Sequence, residues 1–406
     1  MATSIPGPSV ATALARSTAG GDSAEQLVAQ IQAGLAGQPA DLCFLFASAH
    51  FEDQLAPLAE HVYERLGTRA LVGLTAEGII CQDREYESQP ALVVWAARLP
   101  GTRVLSFHLS EEDVEQLDTP ELLREHLGVP ADAHPSFVLL AEPFSFSATP
   151  ALLNLLERLD LAYPGCQVLG GLASAGEEPG QNRIIFDGHT LRHGLVGVAL
   201  WGDTRVDAVV SQGCRPIGAV KVVTRADGNI IYELGGQAPL EVVKQLLVEA
   251  APQDRRLLRR RGLLLGCVAN EYQQKFARGD FVIRNPLGFD PTSGAMAVND
   301  LIRIGQTVQF HVRDEASASE DLEGLLAARH SRPAVGALLF TCNGRGTRMF
   351  REQSHDARAI HAACGDLPVA GFFAAGEIGP VGRRTFVHGF TASIGFFGPR
   401  EPRADD

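Results

Sequence analysis

The sequence predicts an α+β protein of two related domains, in which mixed or antiparallel sheets pack on helices. Two observations lead to this fold class. Segments with the apolar period of a helix alternate with short apolar runs typical of buried strands, and these runs outnumber the strands of a simple doubly wound sheet. A glycine-rich turn also recurs after such runs, which predicts a repeated strand-helix-strand-strand unit.

The recurring turn combines glycine, small residues and a glutamate, and its copies occupy residues 73–80, 171–177 and 371–380. Glycine permits backbone angles that a Cβ would forbid, and it lets another group approach closely. A loop at the end of a strand is also where such folds usually place ligand-binding groups. The sequence leaves open whether the turns meet in one pocket or lie apart.

The elements of the first unit follow from periodicity and capping residues. They are predicted as a helix over 22–36, a strand over 42–47, a helix over 52–66, a strand over 70–74, and strands over 91–97 and 102–109. Ser23 can cap the first helix, with Gln26 at the capping-box position. The last two strands are predicted to pair with each other across Pro100-Gly101.

The rest of the chain repeats the pattern. The second unit is predicted to contain strands over 137–141, 167–172, 183–186, 191–201 and 205–212, and a helix over 149–161. Helices over 239–249 and 252–261 follow. Residues 262–268 open the last domain, which has strands over 281–285, 295–313 and 334–342 and helices over 315–329 and 350–364, and residues 386–397 close the chain. Thr149 is predicted to cap the helix of the second unit, with Pro150 at its first position.

Composition excludes several functional classes. The chain has 406 residues and a net charge of -13, so nonspecific binding to nucleic acid or to an anionic membrane is not expected. Its 7 cysteines are widely spaced and form no C-x-x-C pair, which favours reduced thiols and a cytoplasmic location. We predict no cofactor, metal site or membrane-spanning segment, and we interpret residues 1–22 as a flexible tail.

Six short stretches carry a family resemblance. Residues 339–346, 371–380 and 388–391 together resemble the C-terminal FIST domain, and residues 73–78, 170–177 and 212–218 resemble the N-terminal one. The resemblance covers about residues 40–398. It places an N-terminal FIST domain at 23–250 and a C-terminal one at 262–398, with the arginine-rich residues 255–261 at the boundary or on a solvated helix face.

FIST domains occur in bacterial signal-transduction proteins and in a eukaryotic F-box protein. The resemblance therefore implies an intracellular sensory module that binds a small molecule, with amino acids or their derivatives as proposed ligands. We see no attached kinase, methyl-acceptor, cyclic-nucleotide or F-box segment in this sequence. A partner protein would then have to read the ligand state.

The candidate ligand-binding residues lie around the third turn. Glycines flank Arg345, so its guanidinium can project and hold a carboxylate or phosphate, while Glu377 can meet an ammonium group. The two would form an amino-acid clamp; the alternatives are a surface arginine or an ion pair to Glu377, and Glu377 as a turn cap. The remaining candidates are Asn343, Gly344, Gly346, Gly376, His388 and Arg215.

Two further functions stay open at this stage. An enzyme could use Cys214 or Cys342 as a nucleophile, but no activating partner can be named from the sequence and no catalytic residue is predicted. A protein-interaction scaffold is the other alternative, and a homodimer is compatible with the sequence. The sequence does not identify the ligand, the output partner or the oligomeric state.

Overall fold

The computed structural model describes residues 7–17, 22–146 and 150–400. The chain divides into two compact units. The first unit comprises Met1–Val210, Glu323–Val387 and Ala392–Asp406, and the second comprises Ser211–Leu322 and His388–Thr391. Thr149, the predicted helix cap, lies outside the described residues.

Helices and strands alternate along the chain, as the fold class requires. The helices are α1 (Asp22–Gly34), α2 (Glu52–Leu66), α3 (Glu111–Gln116), α4 (Pro120–Leu127), α5 (Ala151–Ala162), α6 (Pro239–Glu249), α7 (Pro252–Arg261), α8 (Glu315–Arg329) and α9 (His355–Cys364). The first strands are β1 (Ser9–Ala15), β2 (Leu42–Ser48), β3 (Leu71–Ala76), β4 (Gly78–Cys81), β5 (Arg84–Glu87), β6 (Leu92–Arg98), β7 (Thr102–Leu109), β8 (Ser136–Ala141), β9 (Gln167–Leu172), β10 (Ile184–Phe186), β11 (His189–Leu191), β12 (Leu195–Gly202) and β13 (Thr204–Gln212).

The later strands complete four sheets. They are β14 (Cys214–Asp227), β15 (Ile230–Leu234), β16 (Leu264–Val268), β17 (Phe281–Arg284), β18 (Pro286–Phe289), β19 (Met296–Val298), β20 (Thr307–Arg313), β21 (Gly336–Cys342), β22 (Val369–Ala374), β23 (Glu377–Val381), β24 (Arg384–His388) and β25 (Thr391–Pro399). Among the described residues, three sheets have six strands and one has seven, and the sheets are mixed or antiparallel. The predicted α+β fold class is confirmed.

The first unit repeats one module three times. In each module a parallel strand pair flanks a helix, namely β2-α2-β3, β8-α5-β9 and β21-α9-β22. A later strand, β6, β12 or β25, pairs antiparallel with the first strand of the module. This is the strand-helix-strand-strand unit that the recurring turns predict.

Each module also contains a hairpin that pairs with the sheet of a neighbouring module. Strand β4 pairs with β22, β10 pairs with β3, and β23 pairs with β9. Because the recurring turns lie near the hairpins that cross over, the exchange brings the turns of the three modules toward one another.

One glycine in each module shows that the modules are equivalent. A Cβ at Gly73, Gly170 or Gly371 would lie 1.8 Å from the carbonyl oxygen of the leucine on the neighbouring parallel strand. Real Cβ atoms do not approach backbone this closely, so the strand pairing requires glycine here. The second copy of the turn therefore begins at Gly170, one residue before the range 171–177 that the sequence analysis gave it.

The three sheets of this unit enclose an aromatic core. The ring of Phe46 lies 6.3 Å from that of Phe340 and 5.0 Å from that of Phe372, so residues of the first and third modules meet directly. Trp95 and Phe397 extend the same core, with ring centroids 4.8 Å apart. Burial of these large apolar side chains ties distant parts of the chain together.

Several local predictions differ from the structure. Residues 9–15, which we assigned to a flexible tail, form β1 and pair antiparallel with β6. Alternate alanines of this strand, Ala11, Ala13 and Ala15, are buried, and their small size gives little apolar signal in the sequence. The predicted pairing of residues 91–97 with 102–109 is wrong, because β6 pairs with β1 and β2 whereas β7 pairs with β12.

The second unit is built on the seven-stranded sheet, in the order β17-β16-β20-β14-β15-β19-β18. The arginine-rich residues form α7, in which Leu258 is buried and most of the arginines are exposed. Helix α7 belongs to this unit, and the predicted domain boundary at 251–261 stays a prediction. Within the part of the chain that the structure describes, no helix is both long and apolar enough to cross a membrane.

Candidate ligand-binding site

The three recurring turns meet in the first unit. We call residues 75–78, 173–176 and 373–376 the turn junction. Ser174 lies at its centre: its hydroxyl accepts a hydrogen bond from the Glu77 amide at 2.9 Å and donates one to the Phe373 carbonyl. The Leu172 amide donates to the Gly376 carbonyl at 2.9 Å, which joins the second and third turns.

A cavity of about 230 Å³ lies beside the turn junction, lined by Ala49, Glu52, Thr75, Ala175 and Gln181. Its walls come from the carboxyl ends of β2 and β3 and from the second turn. This is the edge of an α/β sheet at which ligands usually bind. The cavity is smaller than the roughly 300–1,000 Å³ typical of pockets for drug-sized ligands, so it suits a small molecule.

One residue of the cavity wall, Glu52, belongs to an ion pair. Glu52, the first residue of α2, forms a salt bridge with Arg183, and their side chains are 46% and 11% exposed. Arg183 is fixed from behind, because its guanidinium also donates to the carbonyls of Gly180 at 2.7 Å and Asn182 at 2.9 Å. A carboxylate and a guanidinium are therefore held next to each other, with the carboxylate facing solvent.

A second charged cluster lies in the third module and is fully buried. The guanidinium of Arg345 binds Asp356 through two hydrogen bonds of 2.7 Å, from Nε to Oδ2 and from a terminal nitrogen to Oδ1. Thr341 donates to the same carboxylate at 2.6 Å, and Nδ1 of His355 lies 2.9 Å from it. Bidentate pairing of this kind fixes the orientation of both side chains.

Arg345 and Asp356 shift each other's pKa. Burial alone would raise the pKa of Asp356, but the adjacent Arg345 holds that pKa well below its usual range. Burial would likewise lower the pKa of Arg345, and the Asp356 carboxylate outweighs it and raises that pKa. Both groups are therefore charged in the folded protein at neutral pH.

Two family models match the chain, and the residues they match include all three turns of the turn junction. The FIST N domain matches residues 41–237 and the FIST C domain matches residues 239–380. The chain belongs to the FIST family. Membership indicates a sensory domain of signal transduction, and the resemblance seen in the sequence is confirmed.

The FIST protein has long relatives in mycobacteria. An uncharacterized protein of Mycobacterium tuberculosis is 42% identical over 377 residues, covering 92% of this chain and 95% of the relative. One of Mycobacterium bovis is 41% identical over the same shares. A crystal structure of cyanuic acid hydrolase from A. caulinodans aligns with 97% of this chain and all of that one, but at 9% identity and a TM-score of 0.35.

The predicted residues around the third turn lie close together. The Asn343 amide donates to the Ala374 carbonyl at 2.9 Å, and the Gly344 amide lies 3.4 Å from the Cys342 sulfur. Gly346 adopts a φ of 52°, and a Cβ there would meet Phe373 and Glu87. Gly376 and Glu377 are buried, with Glu377 opposite Gly171 in the pairing of β23 with β9.

Arg345 is not the surface arginine that the sequence offered as one alternative. It is buried and forms a salt bridge with Asp356, 11 residues later, and the charge of Glu377 also raises its pKa. The sequence analysis missed Asp356 because the helix pattern after Arg345 is polar. The signal that could have found it is an acidic residue in the first turn of a helix that follows a buried strand.

The remaining predicted residues belong to the second unit. Arg215 forms salt bridges with Asp254 and, at 2.6 Å, with Asp314, so its guanidinium is held by protein carboxylates. His388 is buried, with 4% of its surface exposed. Cys214, the alternative nucleophile, is completely buried, which leaves a substrate no direct access to its thiol.

Glu85 is a buried carboxylate beside Asp356 that the sequence analysis did not single out. Its Oε1 accepts hydrogen bonds of 3.0 Å from the amides of Asp356 and Ala357, at the start of α9. Its other oxygen is buried and has no hydrogen-bond partner among the residues that the structure describes. Burial, and then the nearby Asp356 carboxylate, raise the pKa of Glu85 to about 8.

The raised pKa predicts a pH dependence of stability. The folded state binds the Glu85 proton more tightly than the unfolded state, whose carboxyl has a pKa near 4.5. The free energy of unfolding should therefore fall as the pH rises from 4.5 to about 8, by up to about 1.4 kcal/mol per pH unit. Replacing Glu85 by glutamine should remove that slope.

Urea unfolding of the wild type and of Glu85→Gln between pH 5 and pH 8 measures this difference. Glu60→Gln, which removes an exposed carboxylate on α2, is the control and should keep the wild-type slope. Equal slopes for wild type and Glu85→Gln would show that Glu85 does not titrate in this range.

Proposed function

We propose that this FIST protein is an intracellular sensor that binds a small, amino-acid-like molecule in the cavity beside the turn junction. The observation that carries the proposal is the half-exposed Glu52 carboxylate in the wall of that cavity, which forms a salt bridge with Arg183. The ammonium group of an amino-acid-like ligand can meet the Glu52 carboxylate. Thr75 and Gln181 add polar groups that can orient it.

The size and position of the cavity support the same ligand class. At about 230 Å³ the cavity admits a molecule with few non-hydrogen atoms. It also lies against the turn junction, in which each of the three turns contacts another. A ligand that orders residues 173–176 would thereby act on the other two turns, and this gives the sensor a route by which binding can change structure.

The sequence predicted an amino-acid clamp made by Arg345 and Glu377. That assignment stays a prediction, and we propose Glu52 as the residue that meets the ligand ammonium because it lines the cavity, whereas Arg345 holds Asp356 in a buried bidentate pair. In this proposal Arg345, Asn343 and the glycines at 344, 346 and 376 position the third turn. Their contribution to ligand affinity is then indirect.

The output of the sensor is proposed to require a protein partner. Several large apolar side chains of the second unit are exposed, which is a common feature of protein-binding surfaces. They are Val220, Val222, Tyr272, Leu287, Leu301 and Ile304, with exposed fractions between 41% and 97%. The free cysteines fit the proposed cytoplasmic location, in which thiols stay reduced.

A thermal-shift screen tests the proposed ligand class. The purified protein is heated with each of the common amino acids, with the matching N-acetyl amino acids, and with nucleotides and small carboxylates. We expect a dose-dependent rise in Tm with one amino acid or a small group of them, because a ligand that binds only the folded state stabilises it.

The N-acetyl compounds are the control, since they keep the side chain and carboxylate but lack the ammonium. They should produce a much smaller shift than the free amino acid. An equal shift with the acetylated form would contradict a role for Glu52 in holding an ammonium. Shifts confined to nucleotides or simple carboxylates would contradict the ligand class.

A further inference from the structure

We infer a second binding site in the first unit, specific for the phosphate group of a small phosphorylated molecule. It is a cavity of about 420 Å³ at the amino ends of β8 and β9, where Ser136 and Gln167 begin these strands. Three arginines line it, Arg205, Arg332 and Arg400. The inference rests on this charge arrangement and does not depend on the proposed function.

The side chains that line this cavity carry a net positive charge, although the chain as a whole is acidic. Three guanidinium groups face one carboxylate, that of Asp207, which leaves a net charge of +2 with His134 counted as neutral. The chain as a whole carries -13, so this concentration of positive charge runs against the composition. Arginine forks match the geometry of phosphate oxygens, and a charge of +2 matches a phosphate dianion better than a single carboxylate.

One of the arginines builds the site. The guanidinium of Arg205 donates to Asp207 at 2.9 Å and to the carbonyls of Pro333, at 3.2 Å, and Pro399. It therefore joins β13, the loop before β21 and the end of β25, and its side chain is only 16% exposed. We therefore assign Arg205 a structural role, in which it holds the walls of the cavity together.

The other two arginines present charge to an incoming ligand. Arg332 is 62% exposed and contacts the protein through one long contact of 3.3 Å, from a terminal nitrogen to Asp207. Arg400 donates to the His134 carbonyl at 3.0 Å, which places its guanidinium at the cavity wall. Because the contact of Arg332 with Asp207 is weak, the Arg332 guanidinium can turn toward an anion at little cost.

The volume indicates more than free phosphate. A cavity of about 420 Å³ lies within the range of pockets for organic ligands, so the phosphate should belong to a small organic molecule such as a nucleoside monophosphate. The site also lies at the opposite end of β9 from the turn junction. A strand of 6 residues spans about 20 Å, so a ligand here does not reach the first cavity.

Titration calorimetry of the full chain tests the inference. Inorganic phosphate and AMP are titrated separately, with adenosine and acetate as probes that lack a phosphate. We expect saturable binding of both phosphate compounds, tighter for AMP, and none for adenosine or acetate. Raising the salt concentration should weaken the binding, because exposed charges are screened.

The variant Arg332→Gln should weaken phosphate binding at least tenfold. Arg103→Gln removes the same charge from an exposed position on β7, outside the cavity, and should bind as the wild type does. Glu52→Gln should leave phosphate binding unchanged, which separates this site from the first. Absence of binding by both phosphate compounds, or equal binding by Arg332→Gln, would overturn the inference, as would saturable binding of adenosine.

Discussion

Replacing Asp356 by alanine is expected to lower the free energy of unfolding by about 3–5 kcal/mol, because it removes one partner of a buried ion pair. Arg345 has no exposed surface and would lose the two 2.7 Å hydrogen bonds that hold its charge. Thr341 would lose the acceptor of its hydroxyl at the same time. Urea unfolding at pH 7 measures the loss.

Two further variants separate the ion pair from a general effect of mutation. Asp366→Ala removes an exposed carboxylate shortly after α9 and should change stability by no more than about 0.5 kcal/mol. The double variant Asp356→Ala with Arg345→Met removes both buried charges, and it should recover a large part of the loss. A loss below 1 kcal/mol for Asp356→Ala would contradict the buried pair, as would a double variant that is less stable than the single one.

Replacing Gly371 by alanine is expected to prevent stable folding or to cost more than about 4 kcal/mol, since the added Cβ would collide with backbone. That Cβ would lie 1.8 Å from the carbonyl oxygen of Leu339 and 2.7 Å from its carbonyl carbon. Neither atom can move without breaking the pairing of β21 with β22. The fraction of soluble protein and its thermal unfolding by circular dichroism measure the effect.

Gly324 provides the matched control. It lies on the exposed face of α8, and a Cβ there would have no neighbour within 4 Å. Gly324→Ala should therefore raise stability by roughly 0.5–1 kcal/mol, because alanine is the better helix former. If Gly371→Ala unfolded like the wild type, the equivalence of Gly73, Gly170 and Gly371 would be contradicted.

The sequence was most informative where structure depends on neighbouring residues. The predicted bounds of α2, α6 and α7 agree with the structure, because apolar periodicity and helix-starting residues are local signals. The recurring turns likewise revealed the repeated module, since each depends on a short run of glycine and small residues. These signals were enough to predict the fold class and to recognise the FIST family.

Long-range pairing could not be obtained in the same way. Strand β4 pairs with β22, nearly 300 residues later, and its sequence does not specify that partner. The hairpin exchange therefore went unpredicted, and with it the meeting of the three turns around Ser174. Arg183 and Glu52 are 131 residues apart, and Glu85 and Asp356 are 271 apart, so neither pair could be seen in a local pattern.

The central claim is that the ligand binds at Glu52 beside the turn junction. The most direct measurement is titration calorimetry of the amino acid that emerges from the thermal-shift screen, against wild type, Glu52→Gln and Glu60→Gln. Glu60 lies exposed on the same helix, outside the cavity, and its variant carries the same charge change. Removing one partner of a charge-assisted contact should weaken binding at least tenfold for Glu52→Gln, which is about 1.4 kcal/mol, and leave Glu60→Gln unchanged. Equal affinity of Glu52→Gln and wild type would contradict the site.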